Sequence, residues 1–79
     1  MLLNKAMAAR INELLKKRGL TQSEFEKISG ISHERMRRLI LCKNKYISFK
    51  TAWDLAHGFN ITMAEFFHGP LFDKANLKG

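Results

Sequence analysis

Residues 20–41, LTQSEFEKISGISHERMRRLIL, decide the fold because they carry the start and stop signals of two short helices. Thr21, followed three residues later by Glu24, has the spacing of a capping box, so a helix should begin directly after Thr21. Gly30 can take the left-handed conformation that a sharp turn requires. Ser32 then supplies a hydroxyl cap for a second helix. The stretch therefore predicts two short helices joined by a tight turn.

The side chains of these two helices predict an inner and an outer face. Phe25 and Ile28 give the first helix a narrow apolar stripe at spacing i, i+3. The second helix, at about residues 33–41, should turn three apolar side chains inward: Met36, Leu39 and Ile40. Its outer face should carry His33, Glu34, Arg35, Arg37 and Arg38. A helix-turn-helix with a basic outer face is suited to the major groove of DNA.

The charge distribution also indicates a polyanionic partner. The formal net charge is +7, and residues 35–50 contain six basic residues and no acid: Arg35, Arg37, Arg38, Lys43, Lys45 and Lys50. The alternative is an ordinary solvated basic face. Solvation alone, however, does not require that carboxylates be excluded from one helix face and the loop after it.

Five helices are predicted, each with its own start signal, and no strand-like alternation is present. Asn4 should cap the first helix, which ends at Gly19 and has an apolar face of Met7, Ile11, Leu14 and Leu15. Ser48 should cap the fourth helix, with an inward face of Phe49, Ala52, Trp53, Leu55, Ala56 and Phe59. Thr62 and Glu65 repeat the capping-box spacing for a short fifth helix. The fold class is all-α.

Residues 1–69 should form the domain, because Gly69-Pro70 breaks the last helix and leaves residues 70–79 as a tail. The apolar, cap and turn positions follow one order through about residues 7–67: Leu20-Thr21-Gln22, Phe25, Gly30-Ile31-Ser32, Met36, Ser48-Phe49-Lys50-Thr51, Leu55-Ala56 and residues 61–67. This order resembles the XRE-type helix-turn-helix family, which includes the small phage repressors and Cro proteins. The resemblance implies a compact five-helix bundle of the phage-repressor DNA-binding type, with the helix-turn-helix formed by helices 2 and 3.

The resemblance also implies which side chains contact DNA bases: His33, Glu34 and Arg38. The guanidinium of Arg38 matches the paired acceptors of guanine, although an i, i+4 ion pair with Glu34 is the alternative. Glu34 would accept from a cytosine amino group or repel wrong sequences. His33, at a helix N-terminus, would act as a neutral donor, and an ordinary surface histidine is the alternative.

Phosphate contacts are expected from the start of helix 2, from the recognition helix and from the loop after it: Gln22, Ser32, Arg35, Arg37, Lys43, Asn44 and Lys45. The resemblance makes Gln22 a backbone-phosphate clamp; otherwise it is an ordinary polar helix residue. Trp53 and the Phe66-Phe67 pair have core spacing, and we interpret them as core rather than ligand-stacking groups.

Three positions depart from the family pattern. Leu15 and Ile40 stand where many relatives pair an arginine with a glutamate, so both partners have become apolar and no buried charge is left alone. Glu26 occupies a position where the family prefers a small residue, and its carboxylate must point outward, toward Lys27 or a nearby arginine. Cys42 stands where a glycine is usual.

Other classes of site and location are disfavoured by the sequence. The single Cys42 cannot form an internal disulfide, which fits a reducing cytoplasm. The family resemblance implies a bacterial, phage or mobile-element origin. The histidines and Cys42 lack metal-ligand spacing, so no metal or other cofactor is expected. Residues 1–15 lack the uninterrupted apolar stretch of a signal or membrane segment, because Arg10 and Asn12 intervene. No nucleophile–base or paired-acid arrangement indicates an enzyme, and no small-molecule ligand is expected.

The favoured function is that of a transcriptional regulator, most simply a repressor, which binds double-stranded DNA as a homodimer on a near-palindromic operator. The dimer interface is expected at Phe66, Phe67, Leu71 and Phe72. Leu71 and Phe72 should either fold back onto their own domain or cover a second subunit, and we favour the second. The alternative function is an antitoxin or anti-repressor that uses the fold mainly to bind a partner protein.

Overall fold

The computed structural model describes residues 2–44 and 46–73, and the regular secondary structure of these residues is helical, with no strand. Five α-helices follow one another: α1 (Leu3–Arg18), α2 (Gln22–Ser29), α3 (His33–Ile40), α4 (Phe49–Gly58) and α5 (Met63–Phe66). A 3-10 turn, Pro70–Phe72, follows α5. The predicted all-α, five-helix architecture is confirmed, and Lys45 and residues 74–79 lie outside the described residues.

The helix starts predicted from local sequence are confirmed for α2 to α5. The side chains of Thr21 and Thr62 each accept from the third backbone amide of their helix, and both capping boxes are complete. Ser32 and Ser48 cap α3 and α4 in the same way through their hydroxyl oxygens. These caps satisfy amides that an α-helix leaves without an internal partner, so they fix where each helix begins.

The start of α1 is different, and the prediction that Asn4 caps it is wrong. The cap position is Leu2, which has extended backbone and no side-chain cap. Asn4 lies inside the first turn, and its amide group bonds to the distant loop after α3. At the other end, Gly19 ends α1 in the left-handed conformation, as predicted, with φ of 65°.

One apolar core joins all five helices. Its buried members are Met7, Ile11, Leu14, Leu15, Phe25, Ile31, Met36, Leu39, Ala52, Leu55, Ala56, Phe59 and Phe66. Ile40 packs against this core from α3, so the two aliphatic side chains that replace the family's ion pair are both accommodated. The Phe25 and Phe59 rings stack with centroids 4.0 Å apart, which joins α2 to the end of α4.

Three apolar side chains predicted to face inward are exposed instead. Ile28 is 61% exposed. The face of α2 that contacts α4 is formed by Phe25 and Ser29, which lie one helical turn apart, and Ile28 lies beside this face. On α4, Phe49 is 73% exposed and Trp53 is 47% exposed. The buried face of α4 is centred on its two alanines, and Trp53, next in sequence to the first of them, is rotated away by about 100°.

The C-terminal end packs onto its own domain, which agrees with the first of the two alternatives given for Leu71 and Phe72, and the dimer interface expected at this end stays a prediction. The 3-10 turn that contains both residues packs against α1. The Phe72 ring lies 4.9 Å from Phe67 and 6.3 Å from Phe66, measured between ring centroids. Phe66 is fully buried in its own chain, which removes it from any surface that a second subunit could cover. The core interpretation of the Phe66-Phe67 pair is supported by these contacts.

The end of α5 is held by an arginine that the sequence did not point to. Arg10 on α1 donates from Nε to the carbonyl of Phe66 at 2.7 Å and from Nη2 to that of Glu65 at 2.6 Å. Its remaining nitrogen pairs with Glu13. A cation at the C-terminal end of a helix satisfies carbonyls that have no partner within the helix. Arg10 therefore fixes the four-residue α5 on α1.

Candidate nucleic-acid interface

Helix α3 packs on the core through one face and presents its charged face to solvent. Met36 and Leu39 are buried in the core, and the Ser32 hydroxyl accepts from the backbone amide of Arg35 at 3.2 Å. The three side chains predicted to contact bases, His33, Glu34 and Arg38, are all exposed. The orientation of this face is therefore set by packing on the opposite side of the helix.

Arg38 and Glu34 form the i, i+4 ion pair that was the alternative to base contact. Nη2 of Arg38 lies 2.9 Å from Oε1 of Glu34, and the two side chains are 58% and 75% exposed. Exposed pairs of this kind contribute only about 0.3–0.5 kcal/mol. The pair is weak enough to be exchanged for hydrogen bonds to a base, so its presence without DNA is compatible with base contact.

Glu26 joins the start of α2 to the start of α3, through partners other than those predicted. Gln22 donates from Nε2 to its Oε2 at 2.9 Å, and Nδ1 of His33 lies 3.0 Å from the same oxygen. The Gln22 hydrogen bond, aided by His33 and opposed by burial, lowers the pKa of Glu26 below its usual value. The predicted partner, Lys27 or an arginine, was wrong. The carboxylate thus orients one side chain predicted to contact phosphate and one predicted to contact a base.

A second carboxylate, Asp54 on α4, holds two of the cations of the basic surface. Nζ of Lys50 lies 3.0 Å from its Oδ2, and Nη2 of Arg35 lies 3.2 Å from the same atom. These bonds, the Lys50 bond first, lower the pKa of Asp54 although burial opposes the shift. Arg35 is consequently directed toward α4, whereas Arg37 is exposed on α3.

The loop after α3 begins with a complete Schellman motif. The amide of Lys43 donates to the carbonyl of Arg38 at 2.8 Å, and that of Cys42 donates to Leu39 at 3.2 Å. Cys42 has a φ of 56°, in the left-handed region where such motifs usually place glycine. The family's glycine position therefore keeps its backbone conformation here with a side chain present.

The same loop is fastened to α1 by Asn4. Its Nδ2 donates to the carbonyl of Cys42 at 3.3 Å and to that of Asn44 at 3.2 Å. These bonds span 38 and 40 residues of sequence. They fix the backbone on both sides of Lys43, which is exposed. Asn4 therefore positions the loop that is predicted to contact phosphate.

A comparison with protein-family models identifies the family. The description of the matching model is Cro/C1-type HTH DNA-binding domain, and the match covers residues 10–68. The chain belongs to this family. No curated protein and no solved structure matched. The matched residues agree with the predicted extent of about residues 7–67, and the XRE-type resemblance is confirmed.

Within this Cro/C1-type domain, the structure links several of the residues predicted to contact DNA. Glu26 joins Gln22 to His33 at the start of α3, Ser32 directly precedes His33 in the chain, and Lys43 with Asn44 follows α3. Lys45, also predicted to contact phosphate, lies outside the described residues. Sequence reasoning missed Asn4 and Asp54 as positioning residues, because the Asn4 bonds and the Asp54–Arg35 pair each join two different elements of the fold.

Two other kinds of feature are absent from the described residues. None of the helices there has the length and apolar character needed to cross a membrane. No cluster of three or more histidine, cysteine, aspartate or glutamate side chains among the same residues is placed to hold a metal ion.

Proposed function

We propose that this protein is a transcriptional regulator that binds specific double-stranded DNA sequences with α3 in the major groove. The single observation that carries the proposal is the exposed face of α3, where Arg38 and Glu34 are joined to each other by a weak pair. Arginine can donate two parallel hydrogen bonds to guanine, and such contacts discriminate by about 1–3 kcal/mol. It would act as a repressor where its occupancy of an operator blocks polymerase.

Phosphate contacts from both sides of α3 would set the register of the helix in the groove. On one side Gln22, at the start of α2, and Ser32 are available; on the other, Lys43 and Asn44 in the loop. Arg37 adds a charge on α3 itself. Phosphate contacts orient the protein without reading sequence, so we assign specificity to His33, Glu34 and Arg38.

The working species proposed is a homodimer on a near-palindromic operator. One short recognition helix contacts only about four base pairs, which is too few to mark a site among the millions of competing positions in a genome. Two copies related by a two-fold axis would place their helices in successive major grooves about 34 Å apart.

Selection of bound sequences from random duplex DNA, run at two salt concentrations, tests this function. We expect one enriched motif containing two inverted copies, and the enrichment should persist at the higher salt. Phosphate attraction weakens with salt for all sequences alike. An enriched pool with no common motif at either salt concentration would contradict sequence-specific binding.

A further inference from the structure

A row of aromatic side chains lies exposed along α4. Phe49, Trp53 and His57 are spaced four residues apart, which places them on one face of the helix. Ring centroids of Phe49 and Trp53 are 6.4 Å apart, and those of Trp53 and His57 are 4.7 Å apart. Phe49 is 73% exposed and Trp53 47% exposed. We call these three residues the α4 stripe.

One end of the stripe borders a shallow hollow between α4 and α5. The hollow has a volume of about 300 Å³ and is lined by Trp53, Ala56, His57, Ile61, Thr62 and Met63. Its lining is mainly apolar. The stripe thus combines a protruding ring, Phe49, at one end with a recess of sufficient size for such a ring at the other end.

The charge distribution indicates what could cover this surface. No lysine or arginine lies between Thr51 and Asp73, the segment that contains Trp53, His57 and the residues around the hollow. Lys50, which follows Phe49, is paired with Asp54. A surface without cations from its own segment is unsuited to DNA, whose binding depends on lysine and arginine. If the partner is a second copy of this chain, each copy carries a net charge of +7, so the two copies repel each other through their basic surfaces. Two copies therefore meet with least repulsion through this segment.

We infer that the α4 stripe and its hollow form the interface between two copies of this chain; the inference rests on the proposed dimeric function. In an antiparallel arrangement with Trp53 at the two-fold axis, Phe49 of one copy lies opposite His57 of the other. Phe49 then enters the partner's hollow, and the second copy repeats the contact. An isologous interface requires such self-complementarity.

The size of the patch predicts a weak dimer in solution. Fully buried aromatic side chains remove about 150–250 Å² each, so Phe49 and Trp53 at their present exposures offer roughly 250 Å² per subunit. Standard interfaces bury about 800 Å² per partner. Association should therefore be weak without DNA and should appear mainly as cooperativity when two half-sites lie on one duplex.

Sedimentation of the wild-type protein, Phe49→Glu and the control Ile28→Glu tests the interface. Each protein is measured over a concentration series, without and with the selected operator. Both replaced side chains are exposed apolar residues, on α4 and α2, and both substitutions introduce the same charge. Phe49→Glu should raise the dimer dissociation constant at least about tenfold, whereas Ile28→Glu should leave it unchanged. Trp53 is the sole tryptophan, so its fluorescence should shift to shorter wavelength as wild-type protein associates.

Each outcome decides between the inference and its alternatives. The inference is overturned if wild-type protein remains monomeric at every concentration and binds two half-sites independently. It is also overturned if Ile28→Glu weakens self-association as much as Phe49→Glu does. A dimer unaffected by Phe49→Glu and by Trp53→Glu would assign the interface elsewhere. Binding to a duplex with one half-site should survive Phe49→Glu. If instead no duplex is bound specifically but Phe49→Glu still abolishes self-association, the proposed function fails and the interface stands.

Discussion

Arg35 on the recognition helix is bonded to Asp54 on α4, with Nη2 3.2 Å from Oδ2. The same carboxylate oxygen accepts from Lys50 at 3.0 Å. One acid thus neutralises part of the charge of two cations beside the proposed DNA surface. The pairing joins α3 to α4 and directs Arg35 toward α4, and we assign the proposed base contact to Arg38.

Asp54→Asn should strengthen binding to all DNA sequences alike. Releasing Arg35 and Lys50 makes two cations available to phosphates, and each additional phosphate contact steepens the dependence of log K on log salt by about 0.9. Filter binding of specific and random duplexes at several salt concentrations measures both quantities. Asp73→Asn, which makes the same charge change beyond α5, should have a much smaller effect. Tighter binding confined to one sequence would contradict this account of Asp54.

Asn4→Asp should loosen the loop that carries Lys43. An aspartate has no side-chain donor when ionised, and its charge would face the two carbonyls that the amide now binds. Unfolding free energy should fall by about 1–3 kcal/mol, and binding to all duplexes should weaken together. Urea denaturation and filter binding check these two effects, with Asn12→Asp on the exposed part of α1 as the control. Equal effects from both substitutions would show that the loop contact is unimportant.

Local signals in the sequence predicted the starts of α2 to α5, because a capping side chain bonds to an amide only two or three residues away. Thr21 and Ser32 needed no knowledge of the rest of the fold. The exposure of Trp53 and the partner of Asn4 could not be predicted in this way, since each depends on which elements pack together. Asn4 bonds across about 40 residues of sequence. Composition and helical spacing are the same for a core tryptophan and for one on an exposed stripe.

The close approach of α2 to α4 at Gly58 is another feature that local sequence could not predict. A Cβ at this position would lie 2.6 Å from Cβ of Ser29 and 2.8 Å from Cζ of Phe25. Gly58→Ala should therefore destabilise the protein by about 1–3 kcal/mol, as overpacking does. Helix propensity alone predicts the opposite sign, a gain of about 0.8–1.0 kcal/mol. Thermal unfolding followed by circular dichroism decides, and a raised Tm would contradict the close contact.

Stability should fall as the solution is acidified below about pH 5. Hydrogen bonds from Thr21, Gln22 and Lys50 lower the pKa values of Glu24, Glu26 and Asp54, respectively. A carboxyl whose pKa is lower in the folded state contributes stability that is present above its unfolded pKa, about 4, and is lost as pH falls through the folded value.

Tm measured from pH 6 to pH 3 should therefore decline. The decline should be shallower in the variant that carries Glu26→Gln and Asp54→Asn together, because neither amide titrates. Identical pH profiles for this variant and the wild-type protein would contradict the assignment of acid sensitivity to these two hydrogen-bonded carboxylates.

The central claim, that α3 reads DNA bases through Arg38, is tested most directly by competition binding of Arg38→Ala and Lys43→Ala to the selected operator and its single-base-pair variants. Arg38→Ala should cost about 1–3 kcal/mol on the operator and remove the preference at one base pair in each half-site. Lys43→Ala should weaken all sequences equally and make the salt dependence shallower by about 0.9. If Arg38→Ala instead weakens binding to the operator and to every DNA variant by the same factor, the ranking of sequences is unchanged. Arg38 then contacts phosphate, and the claim is wrong.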